Sequence, residues 1–103
     1  MLQFLKNLVG GNQTDFKALL NEGAMIIDVR TPGEYRGGHI KGALNIPVDQ
    51  IKQHVSELKN KNKTIITCCR SGARSGMAAD ILNSAGLTAH NGGPWNRLQE
   101  QVR

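Results

Sequence analysis

Aromatic side chains are scarce in this 103-residue sequence, which holds one tryptophan, one tyrosine and two phenylalanines. A surface that stacks successive bases needs several rings interleaved with cations, so nucleic-acid binding is not expected. Cysteine is equally sparse. Its two copies, Cys68 and Cys69, are adjacent and cannot readily reach ordinary disulfide geometry. A disulfide-stapled secreted scaffold is thereby excluded, and a reducing compartment, the cytoplasm, is expected. No run approaches the ~20 apolar residues that span a bilayer. Met1 to Val9 interrupts its leucines with Gln3, Lys6 and Asn7, so neither a membrane anchor nor a signal peptide is expected there. Acidic residues are also few: eight against 13 lysines and arginines leave a net charge of +5, which by itself suits an anionic ligand or a nucleic acid equally well. A chain of this length supports one domain, residues 1–103, with a core that needs neither metal nor disulfide.

What is present is an alternation of helical and strand patterns. Thr14-Asp15 followed by Phe16, Leu19 and Leu20 predicts an N-capped helix that stops near Gly23. Ala24 to Val29 is a nearly continuous apolar run, as in a strand buried on both faces of a parallel sheet. Pro32 to Gly42 reads mainly as a loop, with one short helix around Glu34 to Arg36. Ala43 to Pro47 suggests a brief strand, and Val48, Ile51, Val55 and Leu58 predict a helix until Asn60. Lys59 to Lys63 then reads as a solvated turn. Lys63 to Cys68 is β-branched and apolar, the pattern of another buried strand with Cys68 as its last residue. From Ser75 a helix is expected whose core face carries Met77, Ala78, Ile81, Leu82 and Ala85, stopping at Gly86. Leu87 to His90 predicts a last strand, Gly92-Gly93 a turn, and Pro94 to Leu98 a helix carrying Trp95. This order specifies an α/β fold, a central parallel sheet flanked by helices on both faces, with ligands at the carboxyl ends of the strands.

One connection concentrates chemistry. Between a strand and a helix start lie Cys69, Arg70, Ser71, Gly72, Ala73 and Arg74, with Ser75 next. The first N–H groups of a helix lack partners inside it, and the helix dipole places positive potential there, so this connection can cradle an anion. Gly72 permits backbone conformations closed to other residues, while Arg70 and Arg74 add charge and fork-like donors. A thiol in that field loses its proton readily, and the thiolate is the nucleophile. Cys69 is the candidate nucleophile of a site for an anionic sulfur or phosphorus compound. Asp28 and Arg30, at the end of a buried strand, read as a pair that fixes neighbouring loops, and His39 as a residue that holds a loop. His54 and His90 do not stand at metal-ligand spacing with the cysteines, so no metal is expected.

The sequence resembles the single-domain rhodaneses, or thiosulfate sulfurtransferases. The resemblance rests on Ile27-Asp28-Val29-Arg30 with Glu34-Tyr35, on Gly38-His39-Ile40-Lys41-Gly42-Ala43-Leu44-Asn45-Ile46-Pro47, on Cys69 to Ser75, and on Gly92-Gly93 before Trp95. It implies a parallel α/β fold and no cofactor. It also implies that Cys69 takes the outer sulfur of thiosulfate, becomes a persulfide and gives the sulfur to cyanide or a thiol, including a protein thiol. The loop from Cys69 to Arg74 would wrap the persulfide with its N–H groups. Two other readings remain open at this level. Counted from Cys68, the spacing to Arg74 and Ser75 is that of a cysteine phosphatase loop, and a non-catalytic interaction module could keep the same fold.

Overall fold

The protein's structure, a computed structural model, describes residues 14–103. The expectations for Met1 to Val9 lie outside the described residues. Four strands, β1 (Met25–Asp28), β2 (Leu44–Asn45), β3 (Ile65–Cys69) and β4 (Ala89–Pro94), form one parallel sheet in the order β2-β1-β3-β4. The chain leaves β1 toward β2 on one side and leaves β3 toward β4 on the other. The carboxyl ends of β1 and β3 therefore flank the point where the connections diverge, the place at which parallel sheets open a crevice.

Side chains alternate across a strand, so β1 and β3 feed two cores. Ile27, Val29, Ile65 and Cys69 pack with Ile51, Leu58, Ala78, Ala79 and Leu82 on one face. That face is covered by a 3-10 helix (Val48–His54), by α3 (Val55–Lys61) and by α4 (Ala73–Ser84). Ile26, Ile66 and Cys68 pack with Leu98, Phe16, Leu19 and Trp95 on the other, beneath α1 (Phe16–Asn21) and α5 (Trp95–Val102). The adjacent cysteines thus point into opposite halves of the molecule. Among the described residues, no helix is long and apolar enough to cross a membrane.

Several local expectations need correction. Of the Thr14-Asp15 pair the cap of α1 is Asp15, whose carboxylate accepts from Ala18 N–H at 3.0 Å. The segment after β1 opens with a helix, α2 (Pro32–Arg36), which is fixed by a reciprocal cap. Glu34 N–H donates to Thr31 Oγ1 (3.2 Å) and Thr31 N–H to Glu34 Oε1 (3.0 Å). The expected helix from Val48 begins as a 3-10 turn that puts Val48, Ile51 and His54 at three-residue spacing, and becomes α-helical only at Val55. Lys59 and Lys61 are helical, and the chain turns at Asn62 (φ +52°). On α4 the buried stripe runs through Ser75, Ala78, Ala79 and Leu82. Three of these are small residues that let the helix lie close on the sheet, which leaves Met77 on the outside, 59% exposed.

The Gly92-Gly93 pair lies inside β4 instead of turning the chain. Thr67 stands opposite Asn91 and Cys69 opposite Pro94, so β4 spends one more residue than β3 over this stretch. That is a bulge, and Gly93 takes φ +80° there. At Gly92 a Cβ would lie 2.7 Å from Thr67 O and 2.9 Å from both Ile66 Cγ2 and Leu98 Cδ2. Gly92→Ala is accordingly expected to cost about 1–3 kcal/mol, as overpacked sites do, measurable by urea unfolding. A loss below ~0.5 kcal/mol would mean that β4 shifts freely.

Candidate active site

The site is built where β3 meets α4. Cys69 is the last residue of β3, one position later than the sequence pattern places the strand end, because β4 continues to pair as far as Pro94. The next three residues reverse the chain into α4. Gly72, at the helix cap, takes φ +103°, a conformation other residues rarely adopt, and this turns its N–H back onto the sulfur. Gly72 N–H donates to Cys69 Sγ at 3.0 Å and Ser75 N–H at 3.4 Å, while Ser75 Oγ lies 3.3 Å from the sulfur.

Burial alone would push this thiol up, and it is the strongest single influence on it. The hydrogen bonds from Ser75 (hydroxyl and N–H), Gly72 and Ser71 together outweigh it, so the Cys69 thiol ionises below its ordinary pKa. The adjacent thiol behaves in the opposite way. Cys68 sits among apolar side chains, and burial, with the Asp28 carboxylate and Cys69 adding to it and Arg30 opposing, pushes it up to about 12. One cysteine is prepared to ionise and its neighbour to stay protonated, solely because they face opposite sides of one sheet.

The remaining sequence-predicted residues fall into two groups around this loop. Arg70, Ser71 and Ala73 are exposed on it, and Arg70 lines a cleft with Arg30, Glu34, Gly38 and Trp95. Arg74 turns to α2 and grips the Glu34 carboxylate with both guanidinium nitrogens, at 2.8 and 3.1 Å. The charge expected to face the sulfur is thus engaged in clasping the loop to α2, and the bonds on Cys69 Sγ come from backbone N–H groups and Ser75. Asp28 and Arg30 form a buried fork, with Arg30 Nε donating to Oδ1 at 2.9 Å and Nη2 to Oδ2 at 2.7 Å. Arg30 also donates to the carbonyls of Gly38 (2.7 Å) and Glu34 (3.3 Å) and lies 4.7 Å over the Trp95 ring. His39 stacks on Tyr35, and its Nδ1 meets Tyr35 O at 2.8 Å. Neither Asp28 nor His39 is bonded to the sulfur.

Two contributors were not anticipated. Glu34 gives its carboxylate to the α2 cap and to Arg74 at once, and the Thr31-x-x-Glu34 spacing was the available signal for the first of these roles. The Arg74 guanidinium, with the Thr31 N–H, lowers the Glu34 pKa from 4.5 to about 2. Because its folded-state pKa is depressed, Glu34 contributes stability that is complete above the unfolded value and fades as the pH falls from about 4.5 toward about 2. Glu34→Gln should therefore melt below the parent by a constant margin above pH 5, and the margin should close on acidification. Parallel melting curves down to pH 2 would show that the clasp has no role in stability. The second contributor is Asn91, 16 positions beyond Ser75, whose Oδ1 accepts from Ser75 Oγ at 2.6 Å. Nothing in its local sequence marks it.

A family model described as "Rhodanese-like domain" matches residues 12–93. The chain belongs to the rhodanese-like family. Its relatives include the uncharacterized protein YqhL of Bacillus subtilis (strain 168), 46% identical over 65 residues, which are 63% of this chain and 51% of that one. The thiosulfate sulfurtransferase PspE of Escherichia coli (strain K12) is 40% identical over 63 residues, 60% of this chain and 61% of that one. The chain therefore spans about half to three-fifths of the length of these two relatives. Among solved structures, "rhodanese with anions from E. coli" superposes with a TM-score of 0.66 at 34% identity, covering 72% of this chain and 89% of that one. The rhodanese-like domain's four-stranded parallel sheet with helices on both faces is the fold these neighbours share.

Proposed function

We propose that this rhodanese-like domain is a sulfurtransferase whose carrier is Cys69. In the first half-reaction the Cys69 thiolate attacks the outer sulfur of thiosulfate or another sulfane donor. The donor's sulfur–sulfur bond breaks, and with thiosulfate the bonding pair leaves on sulfite while Cys69 holds a persulfide. In the second half-reaction cyanide or a thiol, including a protein thiol, attacks the terminal sulfur and the Cys69 thiolate departs. Charge balances in both steps without a metal or a redox partner.

The observation that carries this reading is the convergence of the Gly72 and Ser75 N–H groups and the Ser75 hydroxyl on one sulfur. Donors already aimed at a site of negative charge need no reorganisation when that charge appears. In this reading the backbone of Ser71, Gly72, Ala73 and Ser75 holds the persulfide. Arg70, at the cleft, attracts the anionic donor, and Arg74 keeps the loop closed through Glu34. Asp28, Arg30 and His39 stay outside the chemistry and support the loops. A phosphatase reading would require Cys68, whose apolar surroundings and high pKa oppose it.

The test is to incubate the purified protein with thiosulfate and cyanide and measure thiocyanate, with hydrolysis of a phosphate ester followed in parallel. Thiocyanate without ester hydrolysis is expected. Ester hydrolysis without thiocyanate would reverse the assignment.

A further inference from the structure

The amide of Asn91 is held in one orientation. Its Oδ1 accepts from Gly93 N–H at 2.9 Å, and its Nδ2 donates to Gly72 O at 3.1 Å, so a flipped amide would lose both bonds and oppose like dipoles. The β4 bulge makes this possible by bringing the Gly93 N–H back over the Asn91 side chain. With Oδ1 so placed, the buried Ser75 hydroxyl, 2.6 Å away, must be the donor in that contact. A hydroxyl has only one proton. While Ser75 gives it to Asn91, only the lone pairs of Ser75 Oγ face Cys69 Sγ at 3.3 Å, and they accept the Cys69 S–H.

We propose that Asn91 is a positioning residue for Cys69, acting through the single hydroxyl proton of Ser75: it holds that proton away from the sulfur while Cys69 is a thiol and yields it when the thiolate forms. On ionisation the Cys69 proton passes to water, the Ser75 O–H turns from Asn91 Oδ1 to the sulfur, and Oδ1 keeps the Gly93 N–H. Asn91 thus competes with the thiolate for one donor. This deepens the sulfur-transfer reading and rests on it, since the same turn of the hydroxyl would serve the persulfide anion.

Asn91 is uncharged, so replacing it with alanine removes its hydrogen bonds to Ser75 Oγ, Gly93 N–H and Gly72 O and changes no charge. The charged and titratable groups on the surrounding elements are Asp28 of β1 and Arg30 just after it, Glu34, Tyr35 and Arg36 of α2, Asp49, Lys52 and His54 of the 3-10 helix, Cys68 of β3, Arg70, Arg74 and Asp80, His90 of β4, and Arg97 and Glu100 of α5. None of them exchanges a hydrogen bond with Cys69 Sγ or Ser75 Oγ.

The experiment is the pH profile of iodoacetamide alkylation, read by intact mass in a Cys68→Ala background so that one thiol reports. Without its competitor the Ser75 hydroxyl serves the thiolate alone, so Asn91→Ala should move the midpoint down by about one pH unit, the scale of one hydrogen bond to a charged group. Asn91→Asp, whose carboxylate accepts more strongly, should move it up. In Ser75→Ala the Asn91→Ala change should have no effect on the midpoint. A residue that merely supports the loop would shift the profile in the same direction for both substitutions, whatever stands at position 75. That result, or an unmoved midpoint in Asn91→Ala, would overturn the proposal; if the Ala variant does not fold, Asn91→Asp is compared with and without Ser75→Ala, and an equal upward shift in both, the effect of the added charge alone, would overturn it. Alkylation needs no sulfur donor. A parent that alkylates as described but forms no thiocyanate sinks the sulfur-transfer reading alone, while normal thiocyanate formation with unmoved profiles sinks the role of Asn91 alone.

Discussion

Cys69→Ser is expected to abolish thiocyanate formation, a loss on the order of 10⁴-fold or more, as when an enzyme's nucleophile is removed. A hydroxyl in the same cradle stays protonated at neutral pH and cannot store a transferable sulfur. The side chain shrinks only slightly and its bonding partners, Gly72 N–H, Ser75 N–H and Ser75 Oγ, remain, so the variant should fold. The companion substitution, Cys68→Ala, removes a sulfur from the apolar cluster around Ile26, Ile66 and Leu98. It should leave transfer nearly intact and cost about 1–2 kcal/mol of stability. Thiocyanate assays on both variants, after circular dichroism shows that they fold, separate the two cysteines. Activity that survives in Cys69→Ser and disappears in Cys68→Ala would transfer the chemistry to the other face of the sheet.

The largest loss of stability is expected from Asp28→Ala. Asp28 is wholly buried and Arg30 nearly so, which means that removing the carboxylate leaves a guanidinium in the core without its counter-charge. Breaking a buried pair from one side costs about 3–5 kcal/mol, a large fraction of the roughly 5–15 kcal/mol that keeps a small domain folded. Arg30 also ties down the carbonyls of Glu34 and Gly38, so the loops beside the cleft should loosen together with the core. Replacing both partners with apolar residues of similar size should recover most of the loss, because no charge is then stranded. Urea unfolding of the single and double variants measures this. A single-variant cost below about 1 kcal/mol would mean that water reaches Arg30.

The parts legible in the sequence are those whose causes lie close together along the chain. The strands around Ile27 and Ile66 announce themselves as apolar runs, and the Cys69 loop is contiguous, so its glycine, serines and thiol are visible side by side. Contacts made across the fold left no such trace. Arg74 reads as a free cation until Glu34, 40 positions earlier, is found against it, and Asn91 carries no signal until β4 brings it to Ser75. Gly92-Gly93 shows how one signal has two physical causes: the pair could turn the chain or permit a bulge and close packing, and only the neighbouring strand decides. On α4, where Ala78, Ile81 and Leu82 do face the core, Met77 alone is misplaced, for a related reason. Apolar periodicity favours Met77, whereas the sheet accepts the small side chains of Ser75, Ala78 and Ala79.

Intact mass after incubation with thiosulfate tests most directly whether Cys69 is a sulfur carrier. The parent protein and Cys68→Ala should each gain the mass of one sulfur atom and lose it again on addition of cyanide. Cys69→Ser should gain nothing. An unchanged mass in a folded parent whose Cys69 remains open to alkylation would contradict the mechanism, and a sulfur gained by Cys69→Ser would place the carrier elsewhere.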